Sequence, residues 1–292
     1  AGVDVVFWGV TESQHLIDII NQTDAVEDID GGDKLGQPML NVDYMTDRWG
    51  TLQAYLLPWF RERTYPGPHG RLRTDPVVDT DDPIYDASDE EKHVDLAIRW
   101  SHYIGDWDLG LAHFSGTSRT PVLLPANNER DALVPLYLQI DQTSLDAQAT
   151  KGAWLWKLEA LYNSNKIEDY FAAVSGFEFT WYGVGDSTAD IGWLLEYHYD
   201  ERDERSQSAF QNDVYAGIRY SGNNLDSTQL LLGAMYDLDN DSVFGNLEAS
   251  QRLGESWLLS LEARFFSNID RQDPLWQLRQ DDYLQLQLQR YF

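Results

Sequence analysis

The chain closes on Gln280–Phe292, QDDYLQLQLQRYF, and the alternation in that stretch decides how the rest is read. Leu284, Leu286, Leu288 and Arg290 fall on one face, while Tyr283, Gln285, Gln287, Gln289 and Tyr291 fall on the other. A period of two is the pattern of a β-strand with one apolar and one polar side. A strand packed on a soluble core alternates in the same way, so the pattern alone does not say what the apolar side meets. The terminal Phe292 is the feature that a soluble sheet does not explain.

Similar segments of roughly ten residues recur along the whole chain. They lie near 3–10, 38–46, 50–62, 92–104, 106–116, 135–149, 152–163, 170–182, 189–200, 210–221, 226–238, 242–253, 256–267 and 281–292. In TADIGWLLEYHYDE, Ile191, Trp193, Leu195, Tyr197 and Tyr199 share one face, opposite Gly192, Leu194, Glu196, His198 and Asp200. In SWLLSLEARFF, Trp257, Leu259, Leu261, Ala263 and Phe265 oppose Leu258, Ser260, Glu262, Arg264 and Phe266. The polar face is often charged, and the apolar face tends to carry an aromatic residue near an end.

The connections are sorted by length. Tight ones at 47–49, 105–106 and around Lys151-Gly152 alternate with long ones at 63–91 and 116–134. Short turns on one side and long loops on the other are the habit of an outer-membrane barrel, and a sandwich has no reason to adopt it. Lipid offers no hydrogen-bond partner to an open sheet edge, so a sheet that spans a membrane must close on itself. The expected fold is therefore all-β, one domain over 1–292. It is a closed antiparallel transmembrane β-barrel of about fourteen strands (about 12–16), with short periplasmic turns and long extracellular loops.

Composition narrows the function. No run of 18 apolar residues occurs, which excludes a transmembrane helix. The absence of Cys removes disulfides, thiol nucleophiles and thiolate metal sites, and fits export to an oxidising compartment. The start, AGVDVVFWGV, has no basic region or long apolar stretch, and is read as a mature or trimmed chain. With 49 acidic against 21 basic residues and a net charge of −28, a nucleic acid would be repelled and cationic solutes attracted.

A final strand with apolar residues at alternate positions before a terminal Phe resembles the assembly signal of Gram-negative outer-membrane β-barrel proteins, porin-like channels among them. The resemblance covers the whole chain as architecture and the C-terminal strand as a motif. Arg290 departs from it, standing where an apolar or aromatic residue is usual; at a strand end it can snorkel. The resemblance implies a place in the bacterial outer membrane, contact with its lipid and lipopolysaccharide, and recognition of the last strand by the barrel-insertion machinery.

In this register the lumen carries Arg61, Arg99, Lys157, Glu159, Glu178, Glu196, His198, Asp213, Arg219, Glu248, Arg252, Glu262 and Arg264. Such residues either form a ladder of ion pairs that stiffens the wall or set pore selectivity. The expected role is passive passage of small solutes, with cations preferred. A barrel moving apolar molecules through a lateral opening, a barrel enzyme, a scaffold barrel and a soluble acidic sandwich are the rival readings. Six His occur, none in a G-x-S-x-G setting, so no catalytic residue is assigned.

The loop RTDPVVDTDDPIYDASDEEK (73–92) is either a solvated acidic surface or a site for calcium or magnesium, through Asp79, Asp81, Asp82, Asp86 and Asp89. DAVEDIDGGDK (24–34) offers Asp24, Glu27, Asp28, Asp30 and Asp33, without EF-hand spacing. ESQHLIDIINQTD (12–24) has helical periodicity in Leu16, Ile19 and Ile20, with Ser13 as an N-cap. It is expected to be a helix in a loop or, within 12–36, a plug in the barrel mouth.

Overall fold

The alternating segments fold as strands, and the strands pair in sequence order. A computed structural model describes residues 1–26, 31–126 and 131–292, apart from the side chain of Glu204. The strands are β1 (Gly2–Asp4), β2 (Gln37–Thr46), β3 (Gly50–Leu57), β4 (Val77–Val78), β5 (Ile84–Tyr85) and β6 (Asp95–Ile104). They continue with β7 (Trp107–Thr117), β8 (Val122–Pro125), β9 (Ala132–Tyr137), β10 (Gln139–Lys151), β11 (Trp154–Asn165) and β12 (Asp169–Trp181). The last are β13 (Asp190–Asp200), β14 (Asn212–Ser221), β15 (Gln229–Asp237), β16 (Val243–Leu253), β17 (Trp257–Ser267) and β18 (Tyr283–Arg290). No α-helix occurs among the described residues, and none of their helical turns is long and apolar enough to cross a membrane.

Fourteen strands make one antiparallel sheet in the order β1-β2-β3-β6-β7-β10-β11-β12-β13-β14-β15-β16-β17-β18. Each long segment read from the alternation has its counterpart, because neighbours in sequence can pair through a single turn. Connections 47–49, 105–106, 152–153, 182–189, 222–228 and 254–256 join strands at one end of this sheet. At the other end lie 5–36, 58–94, 118–138, 201–211 and 268–282, with the brief 166–168 and 238–242 as exceptions. Gly105 and Gly152 hold φ of 64° and 65° in the two tightest turns, a backbone region that side chains disfavour.

Four of the expected strands and connections change. The strand expected over 3–10 contracts to Gly2–Asp4. The strand expected over 50–62 stops at Leu57, before Pro58, which has no amide to give to a ladder; Arg61 therefore lies off the sheet. The segment 135–149 divides near Leu138, with β9 and β10 going to different sheets. The two long connections are not bare loops, since β4 and β5 pair parallel to β9 while β8 pairs antiparallel to it.

The chain divides into two compact units. The first comprises 1–148, 157–174 and 200–207, and the second 149–156, 175–199 and 208–292. In the first, Trp8, Ile17 and Ile20 pack against Tyr55, Leu57, Ala97, Ala112, Phe114 and Ile140 on one face of β3, β6, β7 and β10. Burying Ile17 and Ile20 stabilises this arrangement by about 1.5–3 kcal/mol each. The helix expected within 12–24 is absent: the apolar spacing is used for this packing, the Ile17 amide bonds to Glu159 of the wall, and the Asp18 amide bonds to the His15 carbonyl in a single local turn. In the second unit, Leu194, Tyr215 and Met235 form the core with Phe210, Leu231 and Phe244. Gly233 leaves the space that the Tyr215 ring fills.

Candidate functional site

Each strand of the large sheet has an apolar and a polar face, and the two faces differ sharply in charge. On the apolar face, Asp, Glu, Lys and Arg appear only near strand ends, at Asp141, Lys151, Asp169 and Arg290. Its side chains are nevertheless open to the surroundings: Leu284, Leu286 and Leu288 are 65%, 64% and 55% exposed. Exposed strand-borne tryptophans, Trp107, Trp154, Trp156, Trp181, Trp193 and Trp257, lie toward the ends with the shorter turns. Toward the opposite ends stand Tyr162, Phe171, Tyr197, Tyr199, Tyr236 and Phe265.

The candidate lumen residues all stand on strands and on the polar face, except Arg61, whose guanidinium donates to the Gly36 carbonyl at 2.8 Å. In the first unit Arg99 and Asp146 form a two-pronged pair, Nη1 to Oδ1 at 2.7 Å and Nη2 to Oδ2 at 2.9 Å. Paired charges of this geometry are stronger than single bonds and fix both side chains. The Trp8 ring lies 5.3 Å from the Arg99 guanidinium, which adds a cation–π contact.

Glu159 is fully buried in the middle of β11. Its Oε1 accepts from the amides of Val10 at 2.6 Å and Thr11 at 2.9 Å, and from the Thr11 hydroxyl at 2.7 Å. Its Oε2 accepts from the amide of Ile17 at 3.2 Å. Lys157, two residues earlier on the same face, is 3.8 Å from Glu12. The segment is held elsewhere as well. Arg119 donates from Nε and Nη2 to the Ile20 carbonyl and pairs through Nη1 with Asp95 at 2.7 Å. Asn21 accepts from the Val6 amide and donates to the Asp4 and Leu35 carbonyls.

In the second unit Arg219 and Glu178 are 3.5 Å apart. Arg264, almost fully buried, reaches Glu248 at 3.1 Å and Glu262 at 4.0 Å, and the Tyr283 hydroxyl donates to Glu262. Glu196 and His198 are buried, the His198 ring standing 5.7 Å from that of Phe210. Asp213 lies directly opposite Asp237 in the ladder, and its Oδ2 accepts the amides of Gln211 and Asn212. Arg252 is exposed near the end of β16. Of these residues, Arg219 with Glu178 and Arg264 with Glu248 form ion pairs between strands, while Glu178, Glu248 and Glu262 keep part of their surface open.

The loop carboxylates are not gathered. Asp79 accepts the Asp81 amide at 3.1 Å, and Asp86 is engaged by Lys166. Among the described residues, no three His, Cys, Asp or Glu side chains converge in a way that could hold a metal ion. Glu27, Asp28 and Asp30 of the second acidic stretch lie outside the described residues.

Reading by alternation overlooks Asp146, Asp95 and Arg119, which are as buried as the residues it selects. Asp146 shares its face with Ser144 and Gln142, so period two does point to it. Arg119 stands past the end of β7, where no periodicity applies. Comparison of the chain with protein-family models, with curated proteins and with solved structures finds no match in any of the three.

Proposed function

We propose that this chain is a closed β-barrel of the Gram-negative outer membrane that passes small solutes, with cations preferred. One observation carries the reading: away from the strand ends, charge is confined to a single face of strand after strand, while the opposite face exposes Leu, Ile, Trp and Tyr. In water, monomeric proteins rarely expose contiguous apolar patches above a few hundred Å². Facing hydrocarbon, the same surface costs nothing, and the aromatic residues at strand ends fall at the two interfaces.

Closure follows from the same solvent. In a sheet order that begins with β1 and ends with β18, two edges of backbone donors and acceptors would lie in lipid, each unsatisfied group costing several kcal/mol. With fourteen alternating strands, β1 and β18 run in opposite senses, so they can meet as an antiparallel pair. The polar faces then line a lumen, and the longer connections face outward into lipopolysaccharide. Cation preference rests on the net charge of −28.

The test is conductance of the purified full chain in a planar bilayer, with reversal potentials across a salt gradient. Discrete steps with a cation-positive reversal potential are expected. A protein that stays monodisperse in water without detergent sinks the membrane reading, and anion selectivity sinks the charge argument.

A further inference from the structure

We propose that residues 5–24 form a gate and that Glu159 is the latch that holds it against the wall; this rests on the channel reading above. The segment carries almost no regular structure, so its backbone groups need partners from elsewhere. Glu159 supplies several of them: among the described residues, its carboxylate accepts from Val10, Thr11 and Ile17. The approach is close, since a Cβ added at Gly9 would come within 3.0 Å of Glu159 Oε1. The ion pair of Lys157 with Glu12 lies on the same face of β11 and reinforces the hold.

The choice of a carboxylate makes the attachment reversible. The apolar part of the wall, Leu57, Phe114 and Ile140 against Ile17 and Ile20, would meet water on release and so favours return. A carboxylate on a lumen wall exchanges four protein donors for water, so both the latched and the released states satisfy it. Ile17 and Ile20 supply the affinity that returns the segment, and Glu159 fixes its register.

The test uses the full chain, the Glu159→Gln variant and a deletion of 5–24, each reconstituted in bilayers. A Gln side chain keeps the shape, has one acceptor oxygen, and turns an NH₂ toward the incoming donors. Amide exchange at Val10, Thr11 and Ile17 should accelerate at least about tenfold in Glu159→Gln. Its conductance should rise toward that of the deletion. Thr11→Val, which leaves the wall untouched, should move both measurements the same way by less, and it stands in if Glu159→Gln fails to assemble. Exchange equal to wild type overturns the latch. Faster exchange with wild-type conductance, while the deletion conducts more, overturns the gate. If none of the proteins conducts, the channel reading and the gate fall together, and the exchange data still decide whether Glu159 holds the segment.

Discussion

Lys166 Nζ donates to Asp86 Oδ1 at 2.7 Å and so ties the 58–94 connection to the turn between β11 and β12. This bond holds the Asp86 carboxyl below the usual carboxylate range, against partial burial and with help from the Gln139 amide. A folded-state value below the unfolded one means that the contribution is complete above about pH 4. It is lost as pH falls through the lower folded value. Protease cleavage within 66–82 should therefore increase in acid, and Lys166→Met should give the same susceptibility at neutral pH. Lys166 is half exposed, so the effect stays below about 1 kcal/mol. Unchanged cleavage of Lys166→Met at pH 7 would show that the bond does not hold the connection.

Gly110 makes room for the Arg99–Asp146 pair. A Cβ built there would overlap both the carboxylate and the guanidinium. Gly110→Ala should force the two side chains apart and destabilise the fold by about 1–3 kcal/mol, the usual range for overpacking. Urea unfolding of the reconstituted protein measures this. A variant as stable as wild type would mean that the pair shifts without cost.

The C-terminal strand offers a comparison between its faces. Leu286→Arg places a charge on the exposed apolar face and should cost about 2–4 kcal/mol of membrane stability if it lies near the midplane. Gln287→Arg, one residue on, meets the polar face and should be nearly neutral. Similar losses of assembled protein from the two substitutions would rule out a strand with lipid on one side only.

Closure is open to direct test because the chain contains no Cys. Adjacent strands lie about 4.8 Å apart, within disulfide reach at matched positions. With Val3→Cys fixed and a second Cys moved through 284–289, at least one pair should oxidise to an intramolecular disulfide. Failure at every position, with both thiols shown to be reactive, would leave β1 and β18 as open edges.

Selectivity separates loop charges from wall charges. Amide substitution of Asp79, Asp81, Asp82, Asp89, Glu90 and Glu91, sparing Asp86 for Lys166, should weaken cation preference in dilute salt. The effect should fade between about 0.1 M and about 1 M, as the Debye length falls from about 10 Å to about 3 Å. Glu178→Gln should alter selectivity even in concentrated salt, since a narrow lumen screens less. Equal salt dependence for the two sets would argue against a confined wall site.

The sequence by itself determined the long strands, their faces and their pairing in order, but not β4, β5, β8 and β9 or the bounds of the segments at 3–10 and 50–62. Alternation belongs to a single strand, and hairpin neighbours need only a turn to find each other, which is why Leu284, Leu286 and Leu288 could be placed without coordinates. The polar face, from Arg99 to Arg264, was legible for the same reason. Tertiary structure alone decided what those residues touch. Val10 and Glu159 are 149 residues apart, and no local pattern announces that an amide at one will bond a carboxylate at the other. The spacing of Ile17 and Ile20 suits a helix, but the wall offers their segment both an apolar surface and acceptors for its amides. Long-range partners outcompete local ones when they satisfy the backbone and bury the side chains together, and that competition is settled only in the folded chain.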